Sequence, residues 1–365
     1  MRSVHGNVFF LLAQILPILL LTEVVQADTT YTIVPLLYGT EASPINNSGQ
    51  VLFNGLYGFA SGPTGSWLYS NGVLNPLDAQ LGSVVGLNAN GQFATNIRPA
   101  PFTQHAAIYS GGTMTDIGTL GGDNSTARAI NDKGQIVGWS DLPGHYFPSP
   151  PEHAFLYSGG AMTDIGTLGG SRSDALGINA NEQIVGWSYI TGDTTSHAFL
   201  YSGGMMTDIG TLGGYESYAT SINDSGQIVG SSTTSDGHRY AFLYSNGSMI
   251  DLGAFPGFLD SYARSINDNG QVVGDSGQGG GAFLYSNGHM IDLNTLVPTD
   301  SGWHIYTAAS INDNGQIVGF GQYNGASYSY LMTPVTTSVP VPAAIWLFGS
   351  ALAGLIGLAR RNRVE

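Results

Sequence analysis

The fold is decided by one stretch of sequence, Ile266-Asn267-Asp268-Asn269-Gly270-Gln271-Val272-Val273-Gly274, because this phrase or a close relative occurs seven times in the chain. Its first asparagine falls at Asn46, Asn88, Asn131, Asn179, Asn223, Asn267 and Asn312. The intervals are 42, 43, 48, 44, 44 and 45 residues. A nearly constant period of this length indicates a repeat architecture.

Two further phrases keep the same register. One is Ala-Phe-Leu-Tyr-Ser, whose tyrosine falls at Tyr69, Tyr109, Tyr157, Tyr201, Tyr244, Tyr285 and, in a worn form, Tyr330. The other is Met-x-Asp-Ile/Leu-Gly-Thr-Leu-Gly-Gly, clear at Asp116, Asp164 and Asp208 and eroded at Asp251 and Asp292. Between them lie hairpin turns such as Ser245-Asn246-Gly247, where Asn-Gly accommodates positive φ. Each unit therefore predicts four short strands.

Four strands every 42 to 48 residues are typical of a propeller blade. We predict an all-β, seven-bladed β-propeller over residues 28–334. The β-rich segments 31–37 and 328–332 lie at its two ends, and we expect them to complete one shared blade and remove a free sheet edge. The alternative is an open solenoid, which needs polar caps at both ends, and neither end resembles a cap.

The composition limits the function. The chain has 365 residues with 53 Gly and no Cys, and 10 basic against 25 acidic residues give a net charge of −15. An acidic chain argues against nucleic acid as a partner. The lack of cysteine excludes disulfides, thiolate zinc sites and a cysteine nucleophile.

No hydrolase elbow, zinc-protease helix or phosphate-binding loop is present in the sequence. We therefore predict no catalytic residues and no cofactor. The separation of two carboxylates, on which glycoside hydrolysis depends, is not visible in a sequence. A glycan-active propeller enzyme, either a hydrolase or a lyase, is thus the alternative.

Residues 1–27 predict a secretory signal peptide. Arg2 precedes an uncharged apolar run from Val8 to Leu21, and a small-residue site predicts cleavage after Ala27. The alternative is an uncleaved membrane anchor, but a run of 14 residues is short for a span that needs about 20.

Residues 335–365 predict a linker followed by a transmembrane helix. Ala343 to Ala359 is uncharged, and Arg360, Arg361 and Arg363 follow it, as expected of a helix that stops with its arginines in the cytoplasm. The alternative is a plain single-span anchor without processing.

The tail also contains the box Val339-Pro340-Val341-Pro342-Ala343. It resembles the PEP-CTERM class of sorting signals, in the Val-Pro-x-Pro-Ala variant, although no Glu lies between its prolines. The resemblance implies export in a Gram-negative bacterium and an exosortase-type enzyme that cuts near the box. It also implies a location at the cell envelope or in the extracellular matrix.

The repeats themselves carry His153-Ala154-Phe155 and His197-Ala198-Phe199. They resemble the extracellular HAF repeat family over residues 40–332, most clearly in the third to sixth units. That resemblance implies an exported bacterial protein, and it transfers no catalytic residues.

Two metal sites are conceivable from the repeated polar residues. Asp132, Asp224, Asp268 and Asp313 recur in the Asn-Asp-x-Gly turn, where oxygen ligands could hold calcium. The favoured interpretation is a structural turn, because the phrase lacks the acidic spacing of an EF-hand loop. His105, His153 and His197 share one position in three units and could surround a metal. Packing at a strand end is the favoured interpretation, so no metal is predicted.

Trp139 and Trp187 occupy one position in adjacent units, directly after the Ile-Val-Gly strand. If exposed, they could contact glycan, since an aromatic ring offers a flat apolar face. If buried, they are core or inter-blade residues. The longest insertion, residues 141–153, is the expected place for anything specific to one unit. We therefore predict a binding or structural protein, associated with exopolysaccharide.

Overall fold

The computed structural model describes residues 30–40, 42–54, 65–78, 81–144, 150–277 and 279–335. The elements described in them are 28 β-strands, joined by turns and short loops, and a short 3₁₀ turn at Leu293–Thr295. The predicted signal peptide, its cleavage site at Ala27, and the predicted tail from residue 336 lie outside these ranges. Within them, no helix has the length and apolar character needed to cross a membrane.

Each of the first six repeats contributes four strands in chain order from the inside of the ring outward, and the seventh contributes three, which β1 (Tyr31–Tyr38) completes to four. The first three repeats contain β2 (Ala42–Ile45), β3 (Val51–Asn54), β4 (Ser66–Ser70), β5 (Val73–Pro76), β6 (Ser83–Leu87), β7 (Phe93–Ile97), β8 (His105–Ser110), β9 (Thr113–Asp116), β10 (Ser125–Ile130), β11 (Ile136–Asp141), β12 (Glu152–Ser158) and β13 (Ala161–Gly166). The next three contain β14 (Gly169–Ile178), β15 (Ile184–Ile190), β16 (Ser196–Ser202), β17 (Met205–Asp208), β18 (Gly213–Ile222), β19 (Ile228–Thr234), β20 (Arg239–Ser245), β21 (Ser248–Gly253), β22 (Tyr262–Ile266), β23 (Val272–Asp275), β24 (Ala282–Ser286) and β25 (His289–Asp292). The last sheet contains β26 (Trp303–Ile311), β27 (Ile317–Tyr323), β28 (Ala326–Pro334) and β1 (Tyr31–Tyr38).

The strands form five four-stranded sheets and one eight-stranded sheet. The eight-stranded sheet combines the third and fourth repeats, whose β12 and β14 meet in parallel at the single pair Glu152 and Arg172. The predicted all-β propeller of four-stranded units is therefore confirmed. The prediction of seven separate blades is confirmed for five of them, which are separate four-stranded sheets. The third and fourth repeats do not form separate sheets, because the Glu152–Arg172 pair joins them into one.

The two ends of the described chain pair with each other. β1 lies antiparallel to β28, with Tyr31 opposite Pro334 and Ile33 opposite Met332. The predicted shared sheet is thus confirmed, and the open solenoid was the wrong alternative. The pairing removes an edge that would otherwise expose unpaired backbone groups.

The repeated asparagines form a closed ring of hydrogen bonds. The Nδ2 of each donates to the backbone oxygen of the corresponding asparagine in the next repeat. Six bonds run from Asn46 through to Asn312, and the seventh joins Asn312 back to Asn46 at 2.9 Å. One buried side chain per repeat therefore connects the whole ring.

Each of these asparagines also builds its own turn. In Asn267, Oδ1 accepts from the backbone N–H of Gln271 at 2.9 Å, and Nδ2 donates to Gln271 Oε1 at 2.8 Å. Asparagine suits this position because it carries an acceptor and two donors on a short side chain. Aspartate has no donor for the bond to the next repeat.

A glycine follows in the second strand because the neighbouring strand is too close for a side chain. A Cβ at Gly186 would lie 2.0 Å from the Asp174 carbonyl oxygen, and one at Gly230 would lie 1.9 Å from that of Tyr218. The Val-Gly step of the phrase is therefore a steric requirement.

The apolar core lies between neighbouring repeats. Seven buried clusters are present in the described residues, and one of them joins Ala198 of the fourth repeat to Ala219 and Phe242 of the fifth. The phenylalanine of the Ala-Phe phrase is fully buried in Phe155, Phe199, Phe242 and Phe283. Each repeat thus completes the core of its neighbour.

Replacing one asparagine of the ring should destabilise the fold. Asn223→Ala removes two bonds donated by Nδ2 and one accepted by Oδ1, all at a buried position. At about 0.5–1.5 kcal/mol net for each bond, we expect a loss of about 2–4 kcal/mol in the free energy of unfolding, measured by urea denaturation. The matched control is Asn75→Ala, because Asn75 is exposed. Equal stability of the two variants would contradict the role of the ring.

Candidate functional site

The inner strands of the seven repeats surround a cavity of about 270 Å³. Its lining comes from all seven of them: β2, β6, β10, β14, β18, β22 and β26. The cavity therefore lies on the axis of the ring. Lining residues such as Ile130 and Ile178 directly precede asparagines of the ring, so the asparagines lie at one end of it.

Arginines are the only charged side chains among the described residues of the lining. Arg128 binds Oδ2 of Asp174 through Nε at 3.1 Å and Nη2 at 2.9 Å, and Nε of Arg264 binds Oδ1 of Asp275. The arginine side chains are 43% and 48% exposed, whereas those of Asp174 and Asp275 are 6% and 13% exposed. The acids thus lie in the wall and the guanidinium groups have open surface.

Three acids meet at the boundary of the third and fourth repeats. Burial, with a smaller contribution from Glu152, raises the pKa of Asp174 to about 6 against the opposing effect of Arg128. Burial also raises the pKa of Glu152, with Asp141 adding to the shift. Asp141 is buried and accepts a 2.8 Å hydrogen bond from Nδ2 of Asn124. Asp174 and Asp141 are therefore bound and inaccessible, which is typical of a structural cluster.

This boundary differs from the corresponding boundaries on either side. There the equivalent residues form neutral hydrogen bonds, Gln104 with Thr126 at 2.7 Å and Ser196 with Tyr218 at 2.8 Å. Asp141 and Glu152 flank the insertion that the sequence indicated as specific to one unit, although residues 145–149 are outside the described ranges. Aligning the repeats by position would have shown an acid at Asp174 where the two neighbouring repeats have Thr126 and Tyr218.

The two predicted tryptophans lie in equivalent places but in different surroundings. Both are half-buried. Trp187 packs against Tyr189 at 5.7 Å and Tyr218 at 6.0 Å between ring centroids, which places it between the fourth and fifth repeats. Arg239 lies over the Tyr218 ring at 5.1 Å. In the described part of the chain, Trp139 has no comparable ring contact, so the two do not form one surface.

A second aromatic group was missed by the sequence reasoning. In the closing sheet, Trp303 packs on Tyr323 at 5.2 Å, and Tyr323 continues through Tyr328 to Tyr38. Tyr38 is 47% exposed. These residues fall outside the repeated phrases, and the closeness of Tyr323 to Tyr328 in the chain was the only available signal.

The three repeated histidines do not converge on a metal. His105, His153 and His197 each bind the aspartate of their own repeat through Nδ1, at 2.8 or 2.9 Å. The same aspartates accept from a glycine N–H two residues later at 2.7–2.8 Å. Burial opposes ionisation of Asp164, but the bonds from His153 and Gly166 outweigh it and hold the pKa of Asp164 below its usual value. Among the described residues, no three metal-ligating side chains of His, Asp or Glu are grouped together.

The four turn aspartates connect neighbouring repeats. Each carboxylate accepts a backbone N–H from the preceding repeat at 2.8–2.9 Å. For example, Asp132 binds Ala89 and Asp224 binds Ala180. The structural interpretation of Asp132, Asp224, Asp268 and Asp313 fits these contacts, but the local Asx turn is made by the preceding asparagine.

Comparison with known proteins agrees with the fold. A family model described as "Protein of unknown function (DUF3466)" matches residues 169–337. No curated protein matches the chain. The solved structure of "YCF48 bound to D1 peptide" is similar, with a TM-score of 0.51 and 10% identity, covering 86% of this chain and 97% of that one. This likeness supports the propeller fold alone.

Two other solved structures show weaker similarity. TolB from Acinetobacter baumannii has a TM-score of 0.43 and 11% identity, with 85% of this chain and 65% of that chain covered. This protein therefore spans less than two thirds of the length of TolB. A gluconolactonase from Xanthomonas campestris has a TM-score of 0.40 and 10% identity, with 85% and 99% covered.

The buried acid Asp174, at the boundary of the third and fourth repeats, should give a pH-dependent contribution to stability. The pKa of Asp174 in the folded protein lies above its ordinary value, so the folded state holds this proton more tightly than the unfolded chain. The group therefore lowers stability as the pH rises from about 4 through about 6. Asp174→Asn cannot ionise, so its free energy of unfolding relative to wild type should rise by up to about 3 kcal/mol between about pH 3.5 and 7.5.

The measurement is urea denaturation at both pH values. The control is Asp300→Asn, which removes an exposed carboxylate. A difference between Asp174→Asn and wild type that does not change with pH would show that the acid is not destabilised by its surroundings.

Proposed function

We propose that this is an exported, non-catalytic binding or structural protein of the cell envelope or extracellular matrix, associated with exopolysaccharide. One observation carries the binding role. The half-buried aromatic group of Trp187, Tyr189 and Tyr218, with Arg239 on the Tyr218 ring, adjoins the inner strands that line the axial cavity.

We also propose that the ring has seven blades, with the eight-stranded sheet supplying two. Seven asparagines in one closed ring and seven inter-repeat core clusters support this count. The bridge between β12 and β14 involves one residue pair, whereas every other pairing within that sheet is an antiparallel ladder of several pairs.

Sequence features support the proposed export and extracellular location. The apolar run before Ala27 and the Val-Pro-x-Pro-Ala box with its arginine cluster are the parts of an exported and sorted chain. An exosortase-type enzyme is the proposed processing partner, and the C-terminal helix is the proposed membrane contact before processing. Gram-negative export and an extracellular location follow from the same resemblance.

Glycan is the proposed ligand because the aromatic group combines apolar faces with hydrogen-bonding groups. The Tyr218 hydroxyl accepts from Ser196 at 2.8 Å, and its own hydrogen can bond a sugar oxygen. Arg239 adds a planar set of donors beside the same ring. Binding sites for small ligands commonly pair aromatic walls with a few placed polar groups.

Removing the central ring of this group should weaken glycan binding. We expect Trp187→Ala to lower the affinity of the purified protein for exopolysaccharide from the producing organism by about 10-fold, measured by biolayer interferometry, because a central aromatic contact is lost. The control is Phe320→Ala, since Phe320 occupies the equivalent strand position and is also half-buried. Equal affinities of the two variants, both folded by circular dichroism, would refute the glycan surface.

Processing can be measured independently of binding. We expect mass spectrometry of the exported protein to show a chain that begins at Asp28 and ends near the box at 339–343. The variant Pro340→Ala/Pro342→Ala should retain Arg360, Arg361 and Arg363. An exported wild-type chain that still carries both ends would rule out the proposed signals.

A glycan-active enzyme is the second candidate, because the three acids Asp141, Glu152 and Asp174 meet at one boundary. Their burial is the reason to favour a non-catalytic role: Asp141 and Asp174 have no open surface for a substrate. Release of new reducing or unsaturated ends from the polymer by the purified protein would favour the enzyme.

A further inference from the structure

We propose that the axial cavity binds a small carboxylate ligand, and that a single uronic-acid sugar matches it best. This inference names a ligand class for the binding role proposed above and rests on it. The site is distinct from the aromatic group around Trp187, because none of Trp187, Tyr189, Tyr218 and Arg239 lines the cavity.

The open surface of two guanidinium groups favours an anionic ligand in this cavity. The whole chain has a net charge of −15, yet the described lining contains no carboxylate. The described ranges contain six basic residues: Arg98, Arg128, Lys133, Arg172, Arg239 and Arg264. Two of the six, Arg128 and Arg264, line the cavity. Each of the two is paired with an aspartate in the wall, and each keeps a guanidinium side chain that is 43% or 48% exposed.

The two arginines approach the axis from nearly opposite sides. Arg128 belongs to the third repeat and Arg264 to the sixth. In a closed ring of seven repeats, they are three positions apart in one direction and four in the other. A ligand on the axis can therefore receive donors from two sides.

The aspartates hold the guanidinium groups without using all their donors. Asp275 takes Nε of Arg264, and the described residues give its Nη1 and Nη2 no partner. Arg128 donates to Asp174 through Nε and Nη2, so its Nη1 is not used in that ion pair. Arg264, held through Nε alone, therefore keeps the fork formed by its two terminal nitrogens, which is the geometry that recognises a carboxylate. Arg128 has given its Nε–Nη2 fork to Asp174 and offers the ligand its Nη1.

Neutral groups of the lining suit the rest of a sugar. Ser265 Oγ accepts from Ile311 N–H at 3.3 Å, and Ser310 Oγ accepts from Ile45 N–H at 3.4 Å. Each hydroxyl therefore keeps its own hydrogen for a ligand oxygen. A volume of about 270 Å³ lies just below the range of about 300 Å³ and more for drug-sized ligands, which favours one sugar unit.

Calorimetric titration of the purified protein with galacturonate, and with galactose as its neutral counterpart, tests the assignment. We expect galacturonate to bind and galactose to bind at least about 10-fold more weakly, because only galacturonate carries the carboxylate. Arg264→Gln should weaken galacturonate binding by about 10- to 100-fold. Arg264→Lys, which keeps the charge but loses the fork, should also weaken it, by a smaller factor.

The charge-matched control is Arg98→Gln, since Arg98 is exposed and outside the cavity, and its affinity for galacturonate should equal that of wild type. Thermal denaturation shows which variants are folded. The proposal fails if galacturonate does not bind, if galactose binds equally well, or if both Arg264 variants are folded and bind like wild type. Competition by inorganic phosphate at equal affinity would also refute a uronate-specific site.

The same samples separate this inference from the binding role on which it rests. If the protein binds exopolysaccharide but not galacturonate, the cavity assignment is wrong and the binding role stands. If it binds neither, both proposals are wrong.

Discussion

The fold depends on the asparagine side chain at the end of each inner strand. It closes its own turn through Oδ1 and reaches the backbone of the next repeat through Nδ2, so seven local turns become one continuous ring. Because these groups are buried, a side chain that lost one partner would leave an unsatisfied polar atom away from water. The bond from Asn312 to Asn46 means that the first and last repeats meet the same requirement as the others.

Most of the repeated residues are used to build this ring. The glycine of the Val-Gly step is required by close strands, the phenylalanine of the Ala-Phe phrase fills the core between repeats, and the histidines bind aspartates of their own repeat. The turn aspartates bind the backbone of the preceding repeat. The residues proposed for specific function, Arg128, Arg264 and Trp187, stand at positions where most of the repeats carry a different side chain.

The candidate site was only partly predictable for this reason. Trp187 was found because it shares a position with Trp139, but the partners Tyr189 and Tyr218 were not, since one of them belongs to the next repeat. Arg128 and Arg264 both stand three residues before the asparagine of their repeats, but neither was recognised as a site residue, because an isolated arginine is usually solvated. The acid at Asp174 was visible as a departure from its equivalents, yet its burial and its pairing with Arg128 were not.

The sequence by itself determined the repeat, the four short strands per unit, the tight turns and the pairing of the two chain ends. These features depend on local alternation, on turn chemistry and on a period that can be counted along the chain. Only the tertiary structure decided that two repeats share one sheet and that arginines 136 residues apart face one cavity. The physical reason is that ring closure brings together inner strands from distant parts of the chain. Arg128 and Arg264 share one position in their repeats, but nothing along the chain shows that this position faces the axis.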